Sequence, residues 1–197
     1  MKKDFNIIIS GIGGQGLITL TRILATASLI EKKEVRTSEL HGLSQRGGSI
    51  ETHLRFGKEI YSPLVRQGGA DLIISLESQE SLRACYYGSK KQTIFLIDDF
   101  IKPIPGVKKT LSTQKIEKEV KKFSKKVILL PATEIVKKEI GNPVLTGTYL
   151  LGYGVFKKLI PLKEKSVLKA IKEILSEKYW DLNFKAFSLA KRKKEKQ

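Results

Sequence analysis

The run Gly11-Ile12-Gly13-Gly14-Gln15-Gly16 stands between an apolar stretch at residues 5–9 and a long pattern of helical spacing. Strand, glycine-rich turn and helix N-terminus in that order point to an α/β layer fold. They also create a place where backbone N–H groups can face an anion. Glycine there permits positive φ and lets a ligand or a second chain approach the backbone closely. A G-x-G-x-x-G match is common on its own, so its meaning depends on what accompanies it.

Composition narrows the field. The chain has 197 residues, 41% of them hydrophobic, enough for one sizeable core and too many for a disordered segment. No apolar run reaches the roughly 18–20 residues of a membrane helix, so no membrane association is expected. Met1-Lys2-Lys3-Asp4 leads straight into a strand pattern without the apolar region of a signal peptide, and the expected location is the cytoplasm. The single cysteine, Cys85, excludes an intrachain disulfide and cannot alone ligate an iron–sulfur cluster or structural zinc. Its apolar helical setting points to packing.

The formal charge of +17 is unevenly placed: residues 1–100 carry +2 and residues 101–197 carry +15. Lysines outnumber arginines 30 to 7, whereas readers of nucleic acid rely on bidentate arginines. Solvated helix faces, or a docking surface for an acidic protein, fit this balance better, and no nucleic-acid partner is expected.

Short β-rich runs alternate with helical stretches. Strands are expected at 5–10, 35–39, 49–56, 72–76, 93–97 and 127–130, and helices at 14–32, 79–87, 115–125 and 163–179. Asn142-Pro143 reads as a further helix start, asparagine as cap and proline in the first turn. Within 49–56, the residues Ile50, Thr52, Leu54 and Phe56 share a face, and 59–62 is expected to pair back on this strand across Gly57-Lys58. Gly147, Gly152 and Gly154 lower helix propensity and so point to close approach of another backbone. One domain over 1–190 is expected, with a charged flexible tail at 191–197.

Several chemistries lack their parts. A dinucleotide site wants an acid at the tip of the second strand to hold the ribose, and Glu39 is the only candidate, 23 residues after Gly16. Adenylating enzymes with a doubled glycine need a suitably placed aspartate-bearing strand and often paired CxxC ligands. Here Asp98-Asp99 lies too far along and CxxC is missing. His41 and His53 are not spaced as a metal pair, which points to hydrogen bonding rather than catalysis.

A second block, residues 37–49, is rich in hydrogen-bonding side chains. Ser38, Glu39, His41, Gln45 and Arg46 follow a predicted strand and end at Gly47-Gly48, so they are expected beside the Gly11–Gly16 loop at the C-terminal edge of the sheet, where ligands of open α/β sheets bind. Together the two blocks resemble the gamma domain of the 2-oxoacid:ferredoxin oxidoreductases. Within that family the likeness is to the small (beta) subunits acting on indolepyruvate. Ser62-Pro63-Leu64-Val65, Gly69-Ala70-Asp71, Asn142-Pro143-Val144 and the block at 183–187 also fit, so the resemblance spans nearly the whole chain.

The resemblance implies a Rossmann-like three-layer α/β sandwich with a mostly parallel sheet. It further implies a subunit of an enzyme that oxidatively decarboxylates an aryl-pyruvate to an acyl-CoA and passes electrons to ferredoxin, this chain alone being inactive and holding no catalytic residue. Thiamine diphosphate, magnesium and the [4Fe-4S] clusters are expected in a large (alpha) subunit, and no cofactor or metal in this chain. Alternatives are a gamma subunit for pyruvate or a branched-chain 2-oxoacid, and a stand-alone nucleotide-binding protein. Gly11, Gly13, Gly14, Gln15, Gly16, Ser38, Glu39, His41, Gln45, Arg46, Gly47 and Gly48 are then the candidate residues, for one of two roles. Either they hold an anionic group such as a coenzyme A phosphate, with Arg46 as its cation, or they pack against the partner subunit.

Overall fold

Residues 7–9 are three isoleucines in a row, and a pleated strand sends neighbours to opposite faces. Ile7 and Ile9 enter one core, while Ile8 enters another. The same division runs along the sheet, with Leu72, Ile74 and Leu96 on one side and Ile73, Phe95 and Ile97 on the other. The computed structural model describes residues 4–42, 47–103 and 111–192. Its strands are β1 (Asp4–Ile12), β2 (Glu34–His41), β3 (Ser49–Gly57), β4 (Leu72–Ser75), β5 (Ile94–Asp98) and β6 (Lys126–Leu130). Its helices are α1 (Leu17–Ile30), α2 (Glu80–Ala84), α3 (Thr113–Val120), α4 (Ala132–Ile140), α5 (Thr146–Phe156), α6 (Glu164–Ile174) and α7 (Trp180–Leu189). Helices α1 and α4–α7 cover the larger core, and α2 and α3 the smaller one.

The six strands lie in the order β2-β3-β1-β4-β5-β6. Strand β3 runs antiparallel to both β1 and β2, and β1, β4, β5 and β6 pair in parallel, so the sheet is mostly parallel as expected. Ile50, Leu54 and Phe56 of β3 do share a buried face with Thr52. The hairpin expected over Gly57-Lys58 does not form, because β1 and β2 already occupy both edges of β3. Residues 59–62 instead run as irregular chain.

Helix α5 is buried over almost its whole length. Of its three glycines, only Gly152 meets another backbone: a Cβ there would collide with the carbonyl of Phe187 in α7. Gly147 and Gly154 make room for side chains, Leu20 with Leu76 and Ile160 respectively. The 163–179 helix ends earlier than its spacing suggested, at Ile174, and the Trp180 indole N–H donates to the Leu175 carbonyl at 2.8 Å. At the other end of the chain, Ala190–Arg192 forms one more helical turn, with Lys191 bonded to Glu164 at 2.6 Å, and residues 193–197 of the expected tail lie outside the described residues.

Candidate functional site

The glycine run begins inside β1, since Gly11 and Ile12 are still paired with β3, and turns only at Gly13. Gly11 is needed for space: a Cβ there would stand 2.7 Å from Oε1 of Gln15. That carboxamide folds back into the turn. Its oxygen accepts the Ile12 N–H at 2.9 Å and its nitrogen donates to the Leu76 carbonyl at 2.7 Å, which ties the loop to the end of β4. Gly14 and Gly16 take φ of 99° and 79°, a region costly for other residues. Gly16 opens α1 with no side-chain cap.

The second block meets this loop through backbone. Gly13 N–H donates to the Gly48 carbonyl at 2.8 Å, and Gly47 N–H donates to the Gly13 carbonyl at 3.2 Å. The chain from β2 to β3 therefore closes against the glycine turn, and the two blocks do meet at the C-terminal edge of the sheet. Ser38 and Glu39 stand farther off. They pair with His53 and Thr52 across β3, and β3 separates them from β1. Two strand spacings, roughly 9.6 Å, lie between Glu39 and β1, so the inserted antiparallel strand removes Glu39 from the position a ribose-binding acid takes in a dinucleotide fold. The His41 backbone ends β2. Gln45 and Arg46 lie outside the described residues.

Unlike the +17 of the whole chain, this edge is lined by acids. Glu51, Glu80 and Arg83 border a hollow of about 370 Å³ with Ser49 and Leu40. Burial holds the Glu80 carboxyl above its usual range, partly offset by the Ser49 hydroxyl at 2.9 Å and by Arg83. Glu77, buried, accepts the N–H groups of Glu80 and Lys102 at 2.9 and 3.2 Å. Lys102 adds a cation beside Gly47, its Nζ 2.9 Å from where a Cβ would stand.

Asp98 is fully buried, and burial pushes its carboxyl up to about 6 despite the N–H and hydroxyl of Thr133, both of which it accepts. It caps α4 and, through Thr133 and Thr146, joins α4 to α5. His53 is also structural. The Val65 N–H donates to its Nδ1 at 3.0 Å, so its proton sits on Nε2 and donates to Glu51 at 3.2 Å. Cys85 is buried with its thiol raised to about 11 by burial, as suits packing. Among the described residues no group of His, Cys, Asp and Glu is arranged to hold a metal ion.

Beside the loop, α1, the turn at Pro143–Leu145 and α7 enclose a cleft of about 190 Å³. Val144 and Tyr179 line it together with Gln15 and Gly16, and remain 57% and 48% exposed. The Asn142 cap foreseen in the sequence holds this turn, accepting the Val144 N–H at 3.2 Å. What the sequence did not announce is Gln15 as the internal closure of the loop. A glutamine between two glycines, after a strand and before a helix, is the local signal it left.

Comparison with known proteins shows the family of the chain. Residues 6–192 match the family described as pyruvate ferredoxin/flavodoxin oxidoreductase. The chain is 36% identical over 194 residues to the indolepyruvate oxidoreductase subunit IorB of Thermococcus kodakarensis, covering 95% of this chain and 94% of that one. It is 29% identical to the pyruvate/ketoisovalerate oxidoreductases common subunit gamma of Pyrococcus abyssi, over 89% of each. Its fold is shared with the 2-oxoglutarate:ferredoxin oxidoreductase of Magnetococcus marinus, solved with 2-oxoglutarate, coenzyme A and succinyl-CoA, at a TM-score of 0.71 and 20% identity. That likeness covers 97% of this chain and 31% of the longer one. No helix among the described residues is long and apolar enough to cross a membrane.

Proposed function

This chain belongs to the pyruvate ferredoxin/flavodoxin oxidoreductase family, and from that premise we propose that it is the small, non-catalytic subunit of an indolepyruvate:ferredoxin oxidoreductase. The assembled enzyme releases carbon dioxide from an aryl-pyruvate, passes two electrons to ferredoxin and leaves the acyl group on coenzyme A. Thiamine diphosphate with magnesium would be held by the large subunit and would supply the electron sink for decarboxylation, and [4Fe-4S] clusters there would supply the path for the electrons. This chain supplies a face against which the large subunit closes.

The observation that carries the docking role is the internal closure of the glycine loop. The Ile12, Gly13 and Gly47 N–H groups already have partners within the chain, and exposed Val144 and Tyr179 line the cleft that Gln15 and Gly16 border. A loop so closed, with Glu51, Glu77 and Glu80 set among its neighbouring cations, suits close packing better than capture of a phosphate. Val144→Glu should release the large subunit on gel filtration, whereas Leu29→Glu, an exposed position at the far end of α1, should not. Retention of the complex by the Val144 variant overturns this docking face. Arg46→Ala tests the anion role separately: a KM for coenzyme A raised more than that for the oxoacid would restore it.

The relationship to a pyruvate/ketoisovalerate gamma subunit keeps a second substrate reading alive, at lower identity. Turnover of the co-purified complex with indolepyruvate, pyruvate and a branched-chain 2-oxoacid, read with coenzyme A and a viologen dye, separates them.

A further inference from the structure

At the opposite edge of the sheet lies a cleft of about 610 Å³, larger than either hollow near the glycine loop and within the roughly 300–1,000 Å³ of small-ligand sites. It sits where β1 begins and β3 ends, with Phe5 paired to Phe56. The length of β1 puts it roughly 25 Å from the glycine loop. Its floor is apolar, formed by Phe5, Phe56, Leu159 and Pro161, and its rim is cationic, formed by Lys32, Lys33, Lys58 and Lys158.

The four lysines differ in what they do. Lys33 is engaged: its ammonium donates to the Pro161 carbonyl at 2.8 Å, pairs with Glu31 at 3.0 Å and lies 5.0 Å over the Phe56 ring. Asp4, the acid lining the cleft, is taken by Arg55 at 2.9 Å. Among the described residues no ion pair forms at Lys32, Lys58 or Lys158, three of the lysines that line this apolar floor.

Lys32 and Lys158 share a second property. They are the two non-glycine residues of positive φ among the described residues, at 58° and 56°, each two positions past the end of a helix, α1 and α5. Glycine usually takes that position because a Cβ is strained there. A helix C-terminus attracts an ammonium, which accounts for one charge at each end. It does not account for both strained ends opening on the same apolar floor.

We propose that this cleft binds a small polyvalent organic anion with an apolar body, a nucleoside diphosphate or triphosphate. The ring system rests against Phe5, Leu159 and Pro161, and the phosphates are shared by Lys32, Lys58 and Lys158, which act as separate point charges. The volume of the cleft suits a small ligand better than a membrane or an acidic protein. The site is distinct from the docking face, so its fate leaves that reading untouched.

The test is calorimetric titration of the complex as purified, at low salt, with ADP, inorganic pyrophosphate and adenosine. ADP should bind, pyrophosphate should bind more weakly and adenosine should give no heat. The double variant Lys32→Gly, Lys158→Gly removes two charges while relieving both strained backbones. It should lower ADP affinity by about tenfold or more, and the ligand-free thermal midpoint should hold or rise. Lys58→Gln should weaken ADP alone, without change in fold. Absence of ADP binding overturns the proposal, as does equal affinity in the double variant. Pyrophosphate binding as tightly as ADP overturns the role given to the apolar floor.

Discussion

The two ends of β1 handle polar groups in opposite ways. At the C-terminal end, the Gly11–Gly16 loop looks in sequence like an open anion cradle, yet the Gln15 carboxamide and the Gly48 carbonyl already take its Ile12 and Gly13 N–H groups. At the N-terminal end, lysines that look in sequence like ordinary solvated charge gather round an apolar cleft, and three of them have no ion-pair partner among the described residues. A motif thus records where backbone can bend, and the surrounding contacts decide whether its hydrogen-bonding capacity is left over for a ligand.

The widest separation between the two ends should come from pH. Asp98 is fully buried at the C-terminal edge with its carboxyl raised to about 6, against 3.8 when free, so folding favours its protonated form. Its contribution is complete below pH 3.8 and is lost as pH rises through 6. The loss is about 3 kcal/mol from the size of the shift. Denaturant unfolding of wild type and Asp98→Asn between those limits should show that difference shrinking to nothing in the variant. A parallel pair of curves would mean that burial at this edge is relieved in solution.

Next in size is Gln15→Ala, which leaves the Ile12 N–H and the Leu76 carbonyl without their partner. A loss of about 2 kcal/mol is expected, with ADP binding at the other end unchanged. Unaltered stability with lost activity would instead make the loop a ligand site and reverse the contrast. The smallest effect belongs to the N-terminal end. Lys32→Gly or Lys158→Gly alone should stabilise the chain by about 0.5–1 kcal/mol in thermal unfolding, since the strain of a Cβ at positive φ outweighs the entropy glycine adds to the unfolded state.

The central strands and α1 were legible because their apolar periodicity coincides with burial. Ile7, Ile9, Leu20 and Leu24 all reach the larger core. Helix α4 was not foreseen at all. Its first turn is capped by Asp98, 35 residues earlier in the chain, so the local sequence after Pro131 carries no capping residue. Helix α7 was unassigned for a similar reason, with no side-chain cap before Trp180. The meeting of the two glycine blocks was legible from strand order, but the separation of Glu39 from β1 was not. It depends on β3 inserting itself antiparallel between them, a choice made by long-range pairing. Lys32 and Lys158 left a faint trace: two helices that end without the usual glycine.

Because Gly152 of α5 lies against the Phe187 carbonyl, helix α7 seals a face of α5. Ala186, Phe187 and Ala190 belong to the same core as Ile7 and Ile9. A ribosome making this protein must therefore release the residues of α7 before α5 is fully enclosed, and until then one face of an apolar, glycine-rich helix waits uncovered. Synthesis that stalls short of residue 180 should yield a species that chaperones hold or proteases clear, rather than a smaller working fold.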